Sequence, residues 1–188
     1  MNELKSTRNL VITALMAAIT LLLGWTHWGF IPWFGGASLT IMQVPVIIPA
    51  VIVGPFSGLI VGLIFGIFSM IMAGVAPSGP TDVWFTNPML SVLPRLFIGP
   101  FAWLANRALK RWPVVSLTVA GAVGSLTNTV LVLGMIGLMG YLPWAALGAV
   151  VVSNGLLEMG ASMIITTAVA AAYWHIPLGK RKGANLEG

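Results

Sequence analysis

The sequence predicts an all-α integral membrane protein: a bundle of six transmembrane helices with both termini in the cytoplasm. Of its 188 residues, 58% are hydrophobic and 7% are charged, whereas about a quarter of the residues in a soluble domain are charged. The apolar residues gather in six segments, each read as a membrane span. The Lys and Arg residues near segment ends all fall on one side, which the positive-inside rule assigns to the cytoplasm.

Segments one and two flank a loop rich in tryptophan, glycine and proline. Segment one is expected from about Ser6 to Trp25 and is interpreted as a retained span rather than a cleaved signal peptide. The loop that follows, residues 26–36, suits the membrane interface. Segment two, roughly Ser38 to Val53, contains two prolines and is therefore expected to be a kinked helix packed inside the bundle.

Segment three carries a regular pattern of glycines. It is expected from Phe56 to about Ala73, and a glycine recurs at every fourth position, at Gly58, Gly62 and Gly66. This spacing places the glycines on one helix face, so that another helix is expected to approach closely there. The remaining three segments are expected from about Asn87 to Arg107, Val114 to Met139 and Trp144 to Trp174.

The distribution of charge sets the predicted topology. Six spans place both termini on one side, together with Lys5, Arg8, Arg107, Lys110, Arg111, Lys180, Arg181 and Lys182. The net charge of +5 is therefore a topology signal, and no nucleic-acid partner is expected. Residues 1–178 form a single membrane domain in this interpretation, and residues 179–188 form a polar cytoplasmic tail.

Four polar side chains from three segments are predicted to lie at one depth in the outward half of the bundle. Arg95 in segment four cannot shed its charge, and an arginine at a helix centre costs about 2.5–3.5 kcal/mol, so it needs a partner. Asn128, Asn154 and Glu158 lie at similar depths, with Asn154 and Glu158 four residues apart on one face. The pattern predicts either a binding site open to the outside or a structural network in which Arg95 and Glu158 neutralise each other. Asn128 taken alone is more typical of a residue that only joins helices.

Four further residues are candidate binding residues, and three of them have a simpler structural alternative. Asn87 precedes Pro88 and either caps a helix or contacts an anion at the helix start. Trp28 and Trp84 either belong to an interfacial belt or close over a ligand. Gln43 is a strongly polar side chain deep in segment two and is a weaker candidate.

Catalysis and metal binding find no support in the sequence. The chain lacks a nucleophile elbow, a zinc-protease helix motif and a nucleotide-binding P-loop. It has no cysteine, and its two histidines lie near opposite ends. The chain is therefore not expected to be an enzyme, to bind a metal or to hydrolyse ATP.

Several motifs resemble those of a known family, the substrate-binding S components of energy-coupling factor (ECF) transporters. The resemblance covers nearly the whole chain and rests on its size, its six predicted spans and five stretches: Ala14–Ala18, Leu39–Ile48 leading to Gly54-Pro55, Asn87–Arg95, Thr127-Asn-Thr129 and Ser153-Asn-Gly155. It implies a membrane subunit of bacterial cells that binds one water-soluble vitamin near the outer face, without a cofactor of its own.

The resemblance also implies partners. An S component docks onto a transmembrane coupling subunit that carries two cytoplasmic ATPases, and these ATPases use the ATP. The family docks through a small-residue face, which Ala14 and Ala18 match here. From the residues alone, the two alanines are ordinary helix packing.

The ligand stays open within the family. The Pro94-Arg95 and Thr127-Asn-Thr129 motifs look most similar to the pantothenate-type branch, and a buried arginine suits a carboxylate. Hydroxymethylpyrimidine, pyridoxine, folate and riboflavin are alternatives. Outside the family, the alternatives are a stand-alone secondary carrier gated by an Arg95–Glu158 ion pair and a membrane scaffold with a structural polar core.

Overall fold

A computed structural model of the protein describes residues 4, 6–26, 29–32, 38–77 and 79–176, and α-helices make up most of this part of the chain. The α-helices are α1 (Thr7–Trp25), α2 (Val44–Ile52), α3 (Pro55–Val75), α4 (Pro88–Ser91), α5 (Leu93–Ala108), α6 (Pro113–Leu138), α7 (Trp144–Val150) and α8 (Leu156–Tyr173). A 3₁₀ helix covers Asp82–Thr86, and a π-helical segment covers Val151–Gly155.

Helical stretches long and apolar enough to cross a membrane number five in the described part of the chain: Thr7–Trp25, Pro55–Val75, Pro88–Ala108, Pro113–Leu138 and Trp144–Tyr173. The protein is therefore a multi-pass membrane protein with a helical bundle, as predicted. A short antiparallel ribbon departs from the all-helical prediction. Its strands, β1 (Phe30–Pro32) and β2 (Ser38–Thr40), pair with Phe30 opposite Thr40.

The prediction for segment two was wrong in its extent. A helix was expected from Ser38, but β2 occupies the first three of these residues and α2 begins at Val44. Pro45 lies in the first turn of α2, where a helix needs no N–H donor, so this proline begins the helix instead of kinking it. With nine residues, α2 is about 14 Å long and cannot cross a hydrocarbon core of about 30 Å by itself.

Helix α2 occupies the centre of the bundle. Every residue from Val44 to Val51 is buried, and the helix contacts α1, α3, α5, α6 and α8. The hydrophobic core forms around it, with Ile47 of α2, Phe65 of α3, Ile98 of α5 and Leu117 of α6 among its buried members. The expectation that segment two packs inside the bundle is confirmed.

The glycine face of α3 brings the backbone of α5 into direct contact. A Cβ atom on Gly58 would lie 2.8 Å from the Cα of Gly99, and one on Gly66 would lie 2.7 Å from the Cα of Val92. A Cβ on Gly62 would collide with the carbonyl oxygen of Arg95. The predicted close approach is confirmed, and it fixes the backbone of Arg95 against α3.

Segments four and six, each predicted as one continuous helix, are both interrupted. Segment four divides into α4 and α5 at Val92, two residues before Pro94. Segment six divides at the π-helical segment, which contains Asn154. Turns of π-helix are frequent at functional sites, and this one contributes Asn154 to the wall of a cavity.

Candidate functional site

A cavity of about 330 Å³ lies between α3, α5, α6, the π-helical segment and the first turn of α8. This volume is near the lower end of the range for small-molecule sites, about 300–1,000 Å³. Apolar side chains line much of it: Phe65, Phe68, Phe85, Val132, Leu133 and Ile136. The loop after α3 also contributes to the lining through Thr81 and Asp82, and the predicted topology places this loop on the outer face.

Arg95 lies in the cavity wall with its guanidinium held by uncharged groups. The side chain is 6% exposed, and its Nη1 donates a hydrogen bond of 2.7 Å to the carbonyl oxygen of Leu90. The Cζ atom lies 5.2 Å from the ring centroid of Phe65 and 5.0 Å from that of Phe85, within the range of cation–π attraction. Its Nε has no hydrogen-bond partner among the described residues, so the guanidinium has donor capacity left for a ligand.

Glu158 lines the same cavity but has a different partner. Its Oε1 accepts a hydrogen bond of 2.8 Å from the backbone N–H of Thr40, at the end of β2. Between these two described side chains, no ion pair at contact distance joins Glu158 to Arg95. The buried ion pair that sequence reasoning left open is therefore not formed as a direct contact.

Two asparagines and a threonine add unpaired polar atoms to the cavity. Asn128, Thr129 and Asn154 are each less than 9% exposed and line the wall. Within the described chain, the Oδ1 atoms of both asparagines and the Oγ1 of the threonine lack hydrogen-bond partners. Buried polar atoms without partners are uncommon in native proteins. Gln43 Oε1 and Thr166 Oγ1 also lack partners in this part of the chain but lie outside the cavity wall, so it is their position in the wall that suits Asn128, Thr129 and Asn154 to a polar ligand. We call Arg95, Asn128, Asn154 and Glu158 the cavity cluster.

Three other predicted residues that the structure describes, Asn87, Trp84 and Gln43, are not among those that line the cavity. Asn87 caps α4: its Oδ1 accepts a hydrogen bond of 3.0 Å from the backbone N–H of Met89. Trp84 stacks on Tyr141, with ring centroids 5.1 Å apart. Trp28 lies outside the described residues. The capping alternative therefore describes Asn87 better than the binding one, while neither alternative for Trp84 is tested.

Gln43, the third of these residues, belongs to a separate polar group deeper in the bundle. Its Nε2 donates to the Oγ atoms of Ser125 on α6 and Ser162 on α8, at 3.3 Å each. All three side chains are fully buried. Ser125 precedes Asn128 by about one helical turn and Ser162 follows Glu158 by one turn. We call these three residues the Gln43 cluster.

Sequence reasoning missed several residues that surround Arg95 or line the cavity. Phe65 had an indirect signal, since it precedes Gly66 on the helix predicted to contact a neighbour closely. Thr129 directly follows Asn128 and belongs to the Thr127-Asn-Thr129 motif, but that motif gave no reason to expect Thr129 itself in the site. Phe85 and the backbone of Thr40 carried no signal, because the helix–loop geometry that brings them to the site is not visible in the sequence.

The two alanines proposed for docking lie on the outer surface of the bundle. Ala14 and Ala18 are exposed on α1, and so are neighbouring apolar side chains such as Val11, Leu15 and Leu22. An exposed apolar face on a spanning helix contacts either lipid or another helix, so the docking role stays a prediction.

Comparisons with known proteins agree with this architecture. Residues 8–170 match the family model described as "ECF transporter, substrate-specific component". The chain is 31% identical to a pantothenic acid transporter, PanT, of Lactococcus lactis subsp. cremoris, over 71% of this chain and 76% of that protein. It is also 31% identical to a pantothenate transporter of the same name from Leuconostoc mesenteroides subsp. mesenteroides, over 66% of this chain and 65% of that protein.

The family and both relatives are transporters rather than enzymes, as the sequence predicted. The family match covers most of the chain, including all four residues of the cavity cluster. Its helices are long and apolar enough to cross a membrane several times. The chain therefore belongs to the family of substrate-specific components of ECF transporters.

Proposed function

We propose that the chain binds pantothenate as the substrate-specific subunit of an ATP-driven ECF importer in the bacterial cell membrane. The observation that carries this proposal is the buried Arg95, which lines a cavity of about 330 Å³ and has no carboxylate in contact among the described residues. A buried guanidinium of this kind suits a substrate carboxylate. The two relatives named as pantothenate transporters support the same substrate.

The cavity offers groups for each part of pantothenate, which combines a carboxylate, an amide, two hydroxyls and a pair of methyl groups. Arg95 takes the carboxylate. The amides of Asn128 and Asn154 both donate and accept, so they suit the amide and hydroxyl groups of the substrate. The carboxylate of Glu158 accepts from a hydroxyl. The apolar wall around Val132 covers the methyl groups.

The other vitamins considered above fit these features less well. Hydroxymethylpyrimidine, pyridoxine and riboflavin have no carboxylate to pair with Arg95. Folate has two carboxylates, of which Arg95 answers one and the negative charge of Glu158 opposes the other. It is also a much longer molecule than a cavity of about 330 Å³ accommodates. Pantothenate is the vitamin in this group that combines one carboxylate with a small, hydroxyl-rich body.

The transport step follows from the family and from the charge pattern. We infer six passes, with β2 and α2 together making the second one, and both termini in the cytoplasm. Arg107 and Lys110, with Arg111, then lie on the cytoplasmic side. The exposed face with Ala14 and Ala18 docks onto the coupling subunit, whose two ATPases supply the ATP hydrolysis. The alternative of a secondary carrier gated by an Arg95–Glu158 ion pair is weakened, because the two side chains bind separate partners.

Binding of vitamins to the purified protein tests the substrate. Titration calorimetry in lipid nanodiscs with pantothenate, and with the four other vitamins in turn, is expected to show one pantothenate bound per chain. Pantothenate should bind at least about tenfold more tightly than any competitor, since a lost charge-assisted hydrogen bond costs about 1.5–3 kcal/mol. Tighter binding of another vitamin, or no binding of any of the five vitamins, would contradict the proposal.

Transport by the chain alone provides the control for the mechanism. Vesicles containing only this chain are expected to retain pantothenate without accumulating it. Vesicles that also contain the coupling subunit and its ATPases should accumulate it when ATP is supplied. Accumulation by the chain alone, driven by an ion gradient, would favour the secondary carrier instead.

A further inference from the structure

Arg95 donates a hydrogen bond to a backbone carbonyl that lacks the N–H donor an α-helix would normally supply. In an α-helix, the N–H of residue 94 donates to the carbonyl of residue 90. Pro94 has no N–H, so the carbonyl of Leu90 is left without its usual donor. In the structure, this carbonyl accepts from Nη1 of Arg95 at 2.7 Å. Leu90 is fully buried, so a free carbonyl at this position would be costly.

The backbone around Pro94 shows the same interruption. The N–H groups of Arg95 and Leu96 both donate to the carbonyl of Val92, at 3.1 and 3.2 Å, and α4 ends just before this residue. Side chains on a helix project toward its N-terminus, so Arg95 reaches back to Leu90. Pro94 lies in the first turn of α5, just after the break. It supplies no N–H that could reach back to the Leu90 carbonyl, which explains the acceptor that the guanidinium uses.

The carbonyl contact controls an orientation that the aromatic rings leave free. Phe65 and Phe85 attract the cation through their ring faces, but this attraction depends little on how the guanidinium is rotated about its own axis. A hydrogen bond from one particular nitrogen does fix that rotation. The remaining N–H groups of the guanidinium are then held in one direction.

We propose that Pro94 is a positioning residue for substrate recognition: by withholding its N–H, it leaves the Leu90 carbonyl to orient the Arg95 guanidinium toward the carboxylate of the ligand. This inference rests on the proposed function, in which Arg95 binds that carboxylate. It assigns to Pro94 a role that acts through Arg95 and that adds selectivity for a charged ligand over an uncharged one.

The variant Pro94→Ala tests this role because it restores a helical N–H that competes for the Leu90 carbonyl. Its affinity should be measured for pantothenate and for pantothenol, the uncharged alcohol analogue that lacks the carboxylate. We expect Pro94→Ala to bind pantothenate roughly tenfold more weakly, the order of one charge-assisted hydrogen bond, and pantothenol within about twofold of the wild type. A merely structural role would weaken both ligands alike.

Pro100→Ala is the matched control. Pro100 also lies inside α5, so the substitution restores an N–H in the same helix, but Pro100 is not among the residues that line the cavity. Its ratio of pantothenate to pantothenol affinity should equal that of the wild type. If Pro94→Ala does not yield folded protein, Pro94→Ser restores the same N–H and replaces it.

The outcomes separate this inference from the proposed function. If the wild-type protein binds neither compound, the proposed function fails. If the wild type prefers pantothenate and Pro94→Ala keeps that preference unchanged, or loses affinity equally for both ligands, the positioning role of Pro94 is overturned. Selective loss of pantothenate binding in Pro94→Ala, but not in Pro100→Ala, supports it.

Discussion

Two groups of buried polar residues lie about one helical turn apart, and their surroundings differ. In the Gln43 cluster, one amide donates to serine hydroxyls on α6 and α8 and so joins three elements of the bundle. In the cavity cluster, the amide oxygens of Asn128 and Asn154 have no partners among the described residues. Gln43 Oε1 also lacks a partner among the described residues, so the two groups differ in position. The residues of the first group bond to one another across helices outside the cavity wall, and those of the second group line a cavity of about 330 Å³.

The difference shows that polarity within a membrane does not by itself identify a binding residue. Gln43 and Asn128 carry the same functional group and are both buried. An interhelical hydrogen bond in a membrane protein contributes about 0.6 kcal/mol on average, so the Gln43 cluster stabilises the packing of the bundle. Both groups contain an amide oxygen without a partner in the described chain, so lining the cavity is the feature from which we infer that the second group serves substrate binding.

The largest expected effect is the loss of pantothenate affinity in Arg95→Ala, which tests whether the cavity cluster binds the substrate. Removing one partner of a buried charged contact costs about 2–5 kcal/mol, so pantothenate affinity should fall by about 30-fold or more. The protein should still fold, with some loss of stability, because the substitution removes a buried charge but also leaves the Leu90 carbonyl without its donor. Titration calorimetry in lipid nanodiscs measures the affinity, and thermal unfolding of the same preparation reports on the fold.

Arg107→Ala is the control for this experiment. Arg107 also lies beside an aromatic ring, with its Cζ 5.0 Å from the ring centroid of Trp103, but it is exposed and outside the cavity. Its loss should leave pantothenate affinity unchanged. If Arg95→Ala unfolds the protein or binds as tightly as the wild type, the cavity cluster is structural and the contrast with the Gln43 cluster disappears.

The second effect, of opposite kind, is expected from Gln43→Ala. The substitution removes two interhelical hydrogen bonds and leaves two buried hydroxyls without their donor, so the free energy of unfolding should fall by about 1–3 kcal/mol. Pantothenate affinity should change by no more than about 0.5 kcal/mol, as for a site without shared contacts. Equilibrium unfolding without ligand measures the first quantity, and titration the second. A large loss of affinity in a stable variant would place Gln43 in the binding site.

Much of the fold was predictable because its determinants are local. The first span was predicted to begin at Ser6 and α1 begins at Thr7, since an apolar run of this length has no other solution in a bilayer. The extent of segment two was predicted wrongly, because a proline that begins a helix, as Pro45 does, and a proline inside one, as Pro49 is, look the same in a sequence. Only the surrounding helices, which bury α2 from Val44 to Val51, decide between them.

The sequence predicted how deep the site residues lie in the bundle, but not the directions in which their side chains point. The rise per residue fixes how deep Arg95, Asn128 and Asn154 lie, and all three line one cavity with Glu158. The rotation of each helix decides whether a side chain faces the cavity or a neighbour, and this depends on packing across the whole bundle. Asn87 illustrates the limit, because its side chain turns back to cap its own helix.

The smallest effects are expected from a matched pair of asparagine variants, Asn128→Ala and Asn87→Ala. Asn128 has an unpaired amide oxygen in the cavity, so Asn128→Ala should weaken pantothenate binding by about 1–1.5 kcal/mol, roughly tenfold, with little change in stability. Asn87 caps α4, so Asn87→Ala should lower the free energy of unfolding by about 1 kcal/mol and leave the affinity unchanged. Reversal of these two results would mean that the start of α4 contacts the substrate and that Asn128 only joins helices, which is the role assigned here to Gln43.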